Sequence, residues 1–172
     1  MSQGKPAARI TDFVAHPLPP VLTGGPGSMN VLIGSLPAWR GIPITAATTL
    51  RTAKTTSDAL VKAAEAASKA ASGTPAAPAA IAAEQATKAT ASITMSTAIN
   101  AAAASLPPSM ADIHICATPL PVPPHGPGVV IDGSKTVLIN NLPACRVGDK
   151  ILEALGPMNR ITRGDSTVLI GG

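Results

Sequence analysis

Aromatic side chains are nearly missing from this chain: 172 residues contain one Phe, one Trp and no Tyr. A core must therefore come from Val, Leu, Ile and Ala, and nucleic-acid binding lacks the rings on which bases stack. Cysteine occurs only at 116 and 145, too few for a disulfide framework. Charge is sparse, with a net +4 and Lys and Arg scattered rather than clustered. The N-terminal MSQGKPAARITDF has no charged-then-apolar pattern, so Sec-type export is not expected. No nucleophile–base pair and no phosphate-binding loop is evident.

What the chain has in quantity is Pro (18), Gly (15) and Ala. The Pro and Gly favour short strands and turns. Residues 44–105 differ in composition, being dominated by Ala, Ser and Thr, and read as two helices. The first is expected over Thr45–Ser72, supported by Ala and by Glu65 four residues before Lys69. Gly73-Thr74-Pro75 breaks it, Pro78 reinforces the break, and the second runs over Ala79–Ala104 and stops before Pro107-Pro108. So short a break between helices of similar length predicts an antiparallel hairpin. The uncharged run 89–110 is long enough to span a bilayer, but Ala, Ser and Thr gain little from hydrocarbon, so a soluble or interfacial hairpin is expected.

The flanks repeat. GSMNVLIG (27–34), GSKTVLIN (133–140) and GDSTVLIG (164–171) align without gaps, each a short buried strand bounded by turn residues. Pro-Ala-x-Arg-x-x-Asp occurs at 6–12 and 143–149; a third copy starts at Pro37-Ala38-Trp39-Arg40 and resumes at Ala111-Asp112 after the helical segment. Three units follow, running from Asp12, Asp112 and Asp149 to the Gly of each Val-Leu-Ile strand. Two have the same 15-residue spacing and the middle one carries 6 extra residues. Units this short cannot bury a core alone and must pack together. The expected fold is mainly β, a pseudo-threefold assembly of short hairpins with an inserted Ala-rich helical hairpin. The Arg-x-x-Asp pairs, Arg9 with Asp12 and Arg146 with Asp149, read as structural ion pairs or turn caps.

Four residues past each Asp stand His16, Cys116 and Glu153. Equivalent positions in a pseudo-threefold object converge on one axis. His114 lies two residues before Cys116, on the same face of an extended segment, and His125 sits on the Pro-rich enlargement 121–126. His16, His114, Cys116 and His125 use every His in the chain and match a closed tetrahedral zinc site, which leaves no open position for catalysis. A structural ion suits a small β object whose core is weak. Cys145 is the alternative to His114 as fourth ligand, although it occupies the slot that Ala8 and Trp39 fill in the other copies. Glu153 reads as an acid standing behind the ligands or in solvent.

With these residues in view, the chain resembles the PAAR-repeat proteins over about residues 5–43 and 106–172. AARITDFVAH (7–16) is similar to the prePAAR motif at Ala7, Ala8, Arg9, Asp12 and His16. The resemblance implies a β cone, holding a zinc near its point through His and Cys, that caps the trimeric VgrG-like spike of type VI secretion or a related contractile injection system. It also implies that effectors can be fused or carried, that Eag-type chaperones are candidate partners, and that the protein is assembled in the bacterial cytoplasm and then delivered on the spike. The expected units are 1–43, 44–105 and 106–172, and the chain is expected to be no enzyme. Val31, Ile33, Val137, Ile139, Val168 and Ile170 are the expected docking residues. A membrane-active effector working through the hairpin is the alternative, and a metal-dependent hydrolase a third class.

Overall fold

The computed structural model describes residues 4–16, 18–104, 110–117 and 124–172. In chain order these form β1 (Lys5–Ala7), β2 (Gly24–Gly25), β3 (Leu32–Ile33), β4 (Leu36–Pro37), α1 (Ile44–Ala71), α2 (Ala77–Ala103), β5 (Ile113–Cys116), β6 (Gly126–Val130), β7 (Leu138–Ile139), β8 (Leu142–Pro143), β9 (Lys150–Glu153), β10 (Asn159–Arg160) and β11 (Asp165–Ile170). The result is a set of short antiparallel sheets joined to two helices: a five-stranded sheet in the order β10-β9-β6-β5-β2, and the pairs β3-β4, β7-β8 and β1-β11.

The repeat is visible as register. Leu32 faces Pro37 across β3-β4, and Leu138 faces Pro143 across β7-β8. Both hairpins turn on two residues with positive φ, Gly34-Ser35 and Asn140-Asn141, the backbone that a two-residue hairpin loop demands. The third copy closes without a turn: β11 pairs with β1, setting Leu169 opposite Pro6.

The Pro-Ala-x-Arg segments then lock to one another in a cycle. Ala8 N–H donates to Cys145 O (2.8 Å), Cys145 N–H to Trp39 O (3.0 Å) and Trp39 N–H to Ala8 O (2.9 Å). A second cycle runs in the other direction, from Ile10 to Pro37 O (3.0 Å), Gly41 to Pro143 O (2.8 Å) and Val147 to Pro6 O (2.9 Å). The side chains layer accordingly. Ala7, Ala38 and Ala144 pack with Ile33, Ile139 and Ile170. Ala8, Trp39 and Cys145 pack one residue further along, with Val14, Leu22, Val130, Ile151 and Ile161.

Each segment ends in the same ionic clamp. The backbone N–H and Nε of Arg9 donate to one oxygen of Asp12 (2.7 and 3.1 Å) and Nη2 donates to the other (3.0 Å). Arg146 repeats this on Asp149 (2.8, 3.2 and 3.1 Å). Arg40 repeats it on Asp112 (2.7, 3.0 and 2.9 Å), although both helices lie between them in sequence. Even the turn bond survives: Asp N–H donates to Arg O at 3.2, 3.0 and 3.1 Å for 12→9, 112→40 and 149→146.

The helices run against each other and bury only one end. Ala47 and Leu50 of α1 and Met95, Ile99 and Ala103 of α2 pack on Ile42, Val129, Ile131 and Leu152 of the β part. Leu60, Ile81 and Ile93 are exposed. Three expectations change here. Pro78 lies inside the first turn of α2, where its missing N–H costs nothing, so it starts that helix rather than reinforcing the break. Glu65 reaches across to Lys88 (2.8 Å), and Lys88, nearly buried, also takes Glu84 (2.6 Å); a desolvated ammonium draws Glu65 more strongly than exposed Lys69 does. The helices begin at Ile44 and Ala77, one and two residues earlier than the pattern suggested. The predicted stop at Pro107-Pro108 and the first half of the 121–126 enlargement lie outside the described residues. Among the described residues no helix is long and apolar enough to cross a membrane.

The Arg40 side chain is only 7% exposed and Asp112 is wholly buried, whereas the Arg9 side chain is 17% exposed. Asp112→Ala should therefore cost about 3–5 kcal/mol of unfolding free energy, because it strands a buried guanidinium. Asp12→Ala should cost clearly less. Urea denaturation of the two variants checks the ranking; equal, sub-kcal/mol losses would refute the clamp as the closure of the fold.

Candidate metal centre

Strand β5 sets its residues alternately, so His114 and Cys116 turn inward and Ile115 outward. His16 arrives from the first unit, positioned by the Ala15 N–H bond to Arg160 O (3.0 Å) and the Val14–Ile161 bridge. Glu153 ends β9, which pairs through Gly128 with β6. A side chain at 128 could not be tolerated: its Cβ would lie 2.9 Å from Glu153 Cγ. His125 precedes β6 and reaches the same place.

One donor atom each from His16, Cys116 and Glu153 lies within 4.8 Å of the other two, and all three residues are buried. His16 Nε2 stands 3.5 Å from Glu153 Oε1. The two remaining imidazoles border this trio: His114 Nε2 is 2.7 Å from His16 Nε2, and His125 Nδ1 is 2.7 Å from Glu153 Oε2. Cys145 is elsewhere, wholly buried in the Ala8–Trp39 layer, and burial pushes its thiol well up. Of the two expectations for Glu153, behind the ligands or in solvent, the second is corrected, since it has no exposed surface. The signal for it was present in the sequence: it sits at the same offset from Asp149 as His16 from Asp12 and Cys116 from Asp112.

The electrostatics favour neutral rings around a carboxylate that a cation would satisfy. Burial, then the charge of His16, pushes His114 down to about 4. Burial, then His125, lowers His16. Burial raises Glu153, against the pull of His125, Asn159 and Cys116. Thr23 N–H addresses His114 Nδ1 (3.4 Å), so the proton of neutral His114 belongs on Nε2 and is donated to His16. A nitrogen, a thiol sulfur and a carboxylate oxygen match the donor types that bind divalent zinc. The 3.5 Å between His16 and Glu153 is close to the roughly 3.3 Å between ligand atoms on a tetrahedral ion, whereas 2.7 Å between His16 and His114 is a hydrogen-bond distance. The buried cluster could thus hold a metal ion.

The predicted docking residues divide. Ile33, Ile139 and Ile170 face inward, 7%, 8% and 6% exposed, and Val31 packs beside them. Val137 and Val168 are at the surface, and the central leucines Leu32, Leu138 and Leu169 project furthest, 60%, 57% and 60% exposed. Strand alternation turns the leucine out wherever the isoleucine turns in.

A family model described as PAAR motif matches residues 122–172, a stretch that includes His125, the Arg146–Asp149 clamp and Glu153. No curated protein and no solved structure matches the chain.

The site makes a pH prediction for chelator-treated protein. Unfolded His114 binds its proton near 6.5 and folded His114 near 4, so between those values the unfolded chain holds more protons and stability drops as pH falls. The raised carboxyl of Glu153 acts in the opposite sense, so the comparison is with His114→Gln. Denaturation midpoints from pH 7 to pH 4 should fall more steeply for the parent; identical slopes would contradict the assignment.

Proposed function

We propose that this PAAR-repeat protein is a non-enzymatic tip, stabilised by a metal ion, that caps the trimeric VgrG-like spike of a type VI or related contractile injection system. The observation that carries this reading is the threefold closure of the three Pro-Ala-x-Arg segments, with Leu32, Leu138 and Leu169 outward at equivalent places. A PAAR motif by itself associates a protein with the spike tip of type VI secretion. A threefold set of apolar contacts suits a threefold partner.

In this reading the layers follow chain order from base to point: the outward leucines, the Ala7 layer, the Ala8 layer, then His16, Cys116 and Glu153. The prePAAR reading of residues 7–16 is supported by the Arg9–Asp12 clamp, which fixes the turn leading to His16. Of the ligands expected from the sequence, His16, Cys116 and His125 stay in the set with Glu153 beside them, and His114 flanks the site: a metal on His16 Nε2 would take the lone pair that otherwise accepts from His114. Bound there, zinc would supply a structural crosslink between units far apart in sequence and add folding free energy directly. The protein's own residues hold the donors in register and exclude water. Assembly in the bacterial cytoplasm and delivery on the spike belong to the same reading, with any effector or Eag-type chaperone meeting the exposed halves of α1 and α2. The membrane-active alternative gains no support from the helices, which carry buried Lys54 and Lys88.

Two measurements test this. Single Leu32→Glu, Leu138→Glu and Leu169→Glu exchanges should each weaken capture by a trimeric VgrG-like spike at least about tenfold while shifting stability by no more than about 0.5 kcal/mol, as for other exposed sites. Unchanged capture in all three would sink the docking face. Zinc competition should show Glu153→Gln losing more affinity than His114→Gln, on the order of 10–100-fold; the reverse order would return His114 to the ligand set.

A further inference from the structure

His125 is held from outside the β part. Its imidazole presents Nδ1 to Glu153 Oε2 at 2.7 Å and lays its other edge on Gly156. Gly156 has φ +76°, and a Cβ there would lie 2.8 Å from His125 Nε2 and 3.1 Å from Cδ2. Leu155 N–H donates to His125 O at 3.0 Å, so the turn and the histidine are tied through backbone as well. The position of this turn therefore sets the position of the ring.

What fixes the turn is a side chain of α1. Lys54 is 2% exposed, and its Nζ donates to Gly156 O at 2.9 Å and to the Asp58 carboxylate one helical turn on. A lysine is seldom buried unless its charge is paired. Here the pairing comes from its own helix, and a second N–H reaches the carbonyl of the residue beneath His125. Helix α2 braces the other side, its Met95 and Ile99 packing with Ala154 and Leu152.

We propose that Lys54 is a positioning residue for the metal centre: through the Gly156 turn it fixes the His125 imidazole against Glu153, so that the helical segment acts as a support of the site. This rests on the metal reading given above. In it, Lys54 touches no ligand atom; it immobilises the floor on which one ligand lies. Outer partners of this kind usually govern metal affinity and ligand orientation.

The test uses the full chain, stripped of metal and reloaded with Co²⁺. Lys54→Met keeps the aliphatic stem and removes the donor; Gly156→Ala leaves Lys54 intact and pushes a methyl into the ring. Both should shift the visible Co²⁺ spectrum and weaken zinc in competition titrations about tenfold. Leu50→Ala, which loosens α1 packing while leaving the Lys54–Gly156 hydrogen bond in place, should lower the melting temperature and leave the spectrum as in the parent. A Lys54→Met protein with parental spectrum and affinity overturns the proposal, as does a Leu50→Ala protein with the same spectral shift. Should Lys54→Met fail to fold by circular dichroism, Lys54→Gln decides in its place: a shifted spectrum supports the proposal and a parental one overturns it. A parent chain that takes up no Co²⁺ defeats the metal reading instead. The positioning role is then read in the metal-free protein from the His125 imidazole ¹⁵N resonances, assigned with His125→Gln: displaced signals in Lys54→Met support it, and unmoved signals end it.

Discussion

The structure depends on a closed ring of backbone hydrogen bonds among three short segments that are far apart in sequence. Ala8, Trp39 and Cys145 each donate to one neighbour and accept from the other, and the residues two further along, Ile10, Gly41 and Val147, donate in the opposite sense to Pro37, Pro143 and Pro6. None of the segments is long enough to be a stable strand. Closure removes the unpaired edges that would otherwise expose them. Each segment is then tied off by an Arg–Asp clamp that uses both carboxylate oxygens, a geometry that arginine supports and lysine does not. The clamp also explains how the helices are accommodated. They enter between Arg40 and Asp112, and because the clamp brings those two residues to the spacing of a local turn, the ring is unaffected by how much chain lies between.

Such a ring dictates a particular core. Three backbones approach one axis, so the innermost layer holds only alanines, Ala7, Ala38 and Ala144, all without exposure. Isoleucines from the three Val-Leu-Ile strands close it from one side. The next layer departs from threefold symmetry, with Ala8, Trp39 and Cys145 at equivalent places. One large ring beside one methyl and one thiol fills the space that three equal medium side chains would otherwise occupy. That is how a chain with a single Trp makes a dense centre, and it is why Cys145 serves packing rather than ligation.

Much of this is legible in the sequence because it is repetition, and repetition survives without knowledge of contacts. The aligned Val-Leu-Ile runs, the Pro-Ala-x-Arg copies and the four-residue offset after each Asp reveal the units, the interruption at Arg40 and the convergence of His16 with Cys116. What is not legible depends on facing. Which of Leu32 and Ile33 turns outward is set by hairpin register, and that hangs on the two-residue turns at Gly34-Ser35 and Asn140-Asn141. Glu153 reads as standing behind the ligands or in solvent because a lone carboxylate usually does; only the pairing of β9 with β6 and the absent side chain at Gly128 show how deeply it is buried. Glu65 reads as the partner of its helical neighbour because a pairing across two helices has no local signature.

The three positions after the aspartates show how a symmetric frame can serve an asymmetric task. Three copies of one residue there would place like groups on the axis: three carboxylates would repel, and three thiols would have equal claim to a proton. His16, Cys116 and Glu153 instead offer a nitrogen, a sulfur and an oxygen, with His114 and His125 each hydrogen-bonded to one of them. The cost of this arrangement is a buried carboxylate whose charge is poorly solvated, as the upward push on Glu153 records. A divalent ion would relieve that cost more completely than a proton can, because it can take several donors at once. On that argument the clamps and the ring define where the donors meet, and the broken symmetry of the donors defines what they meet around.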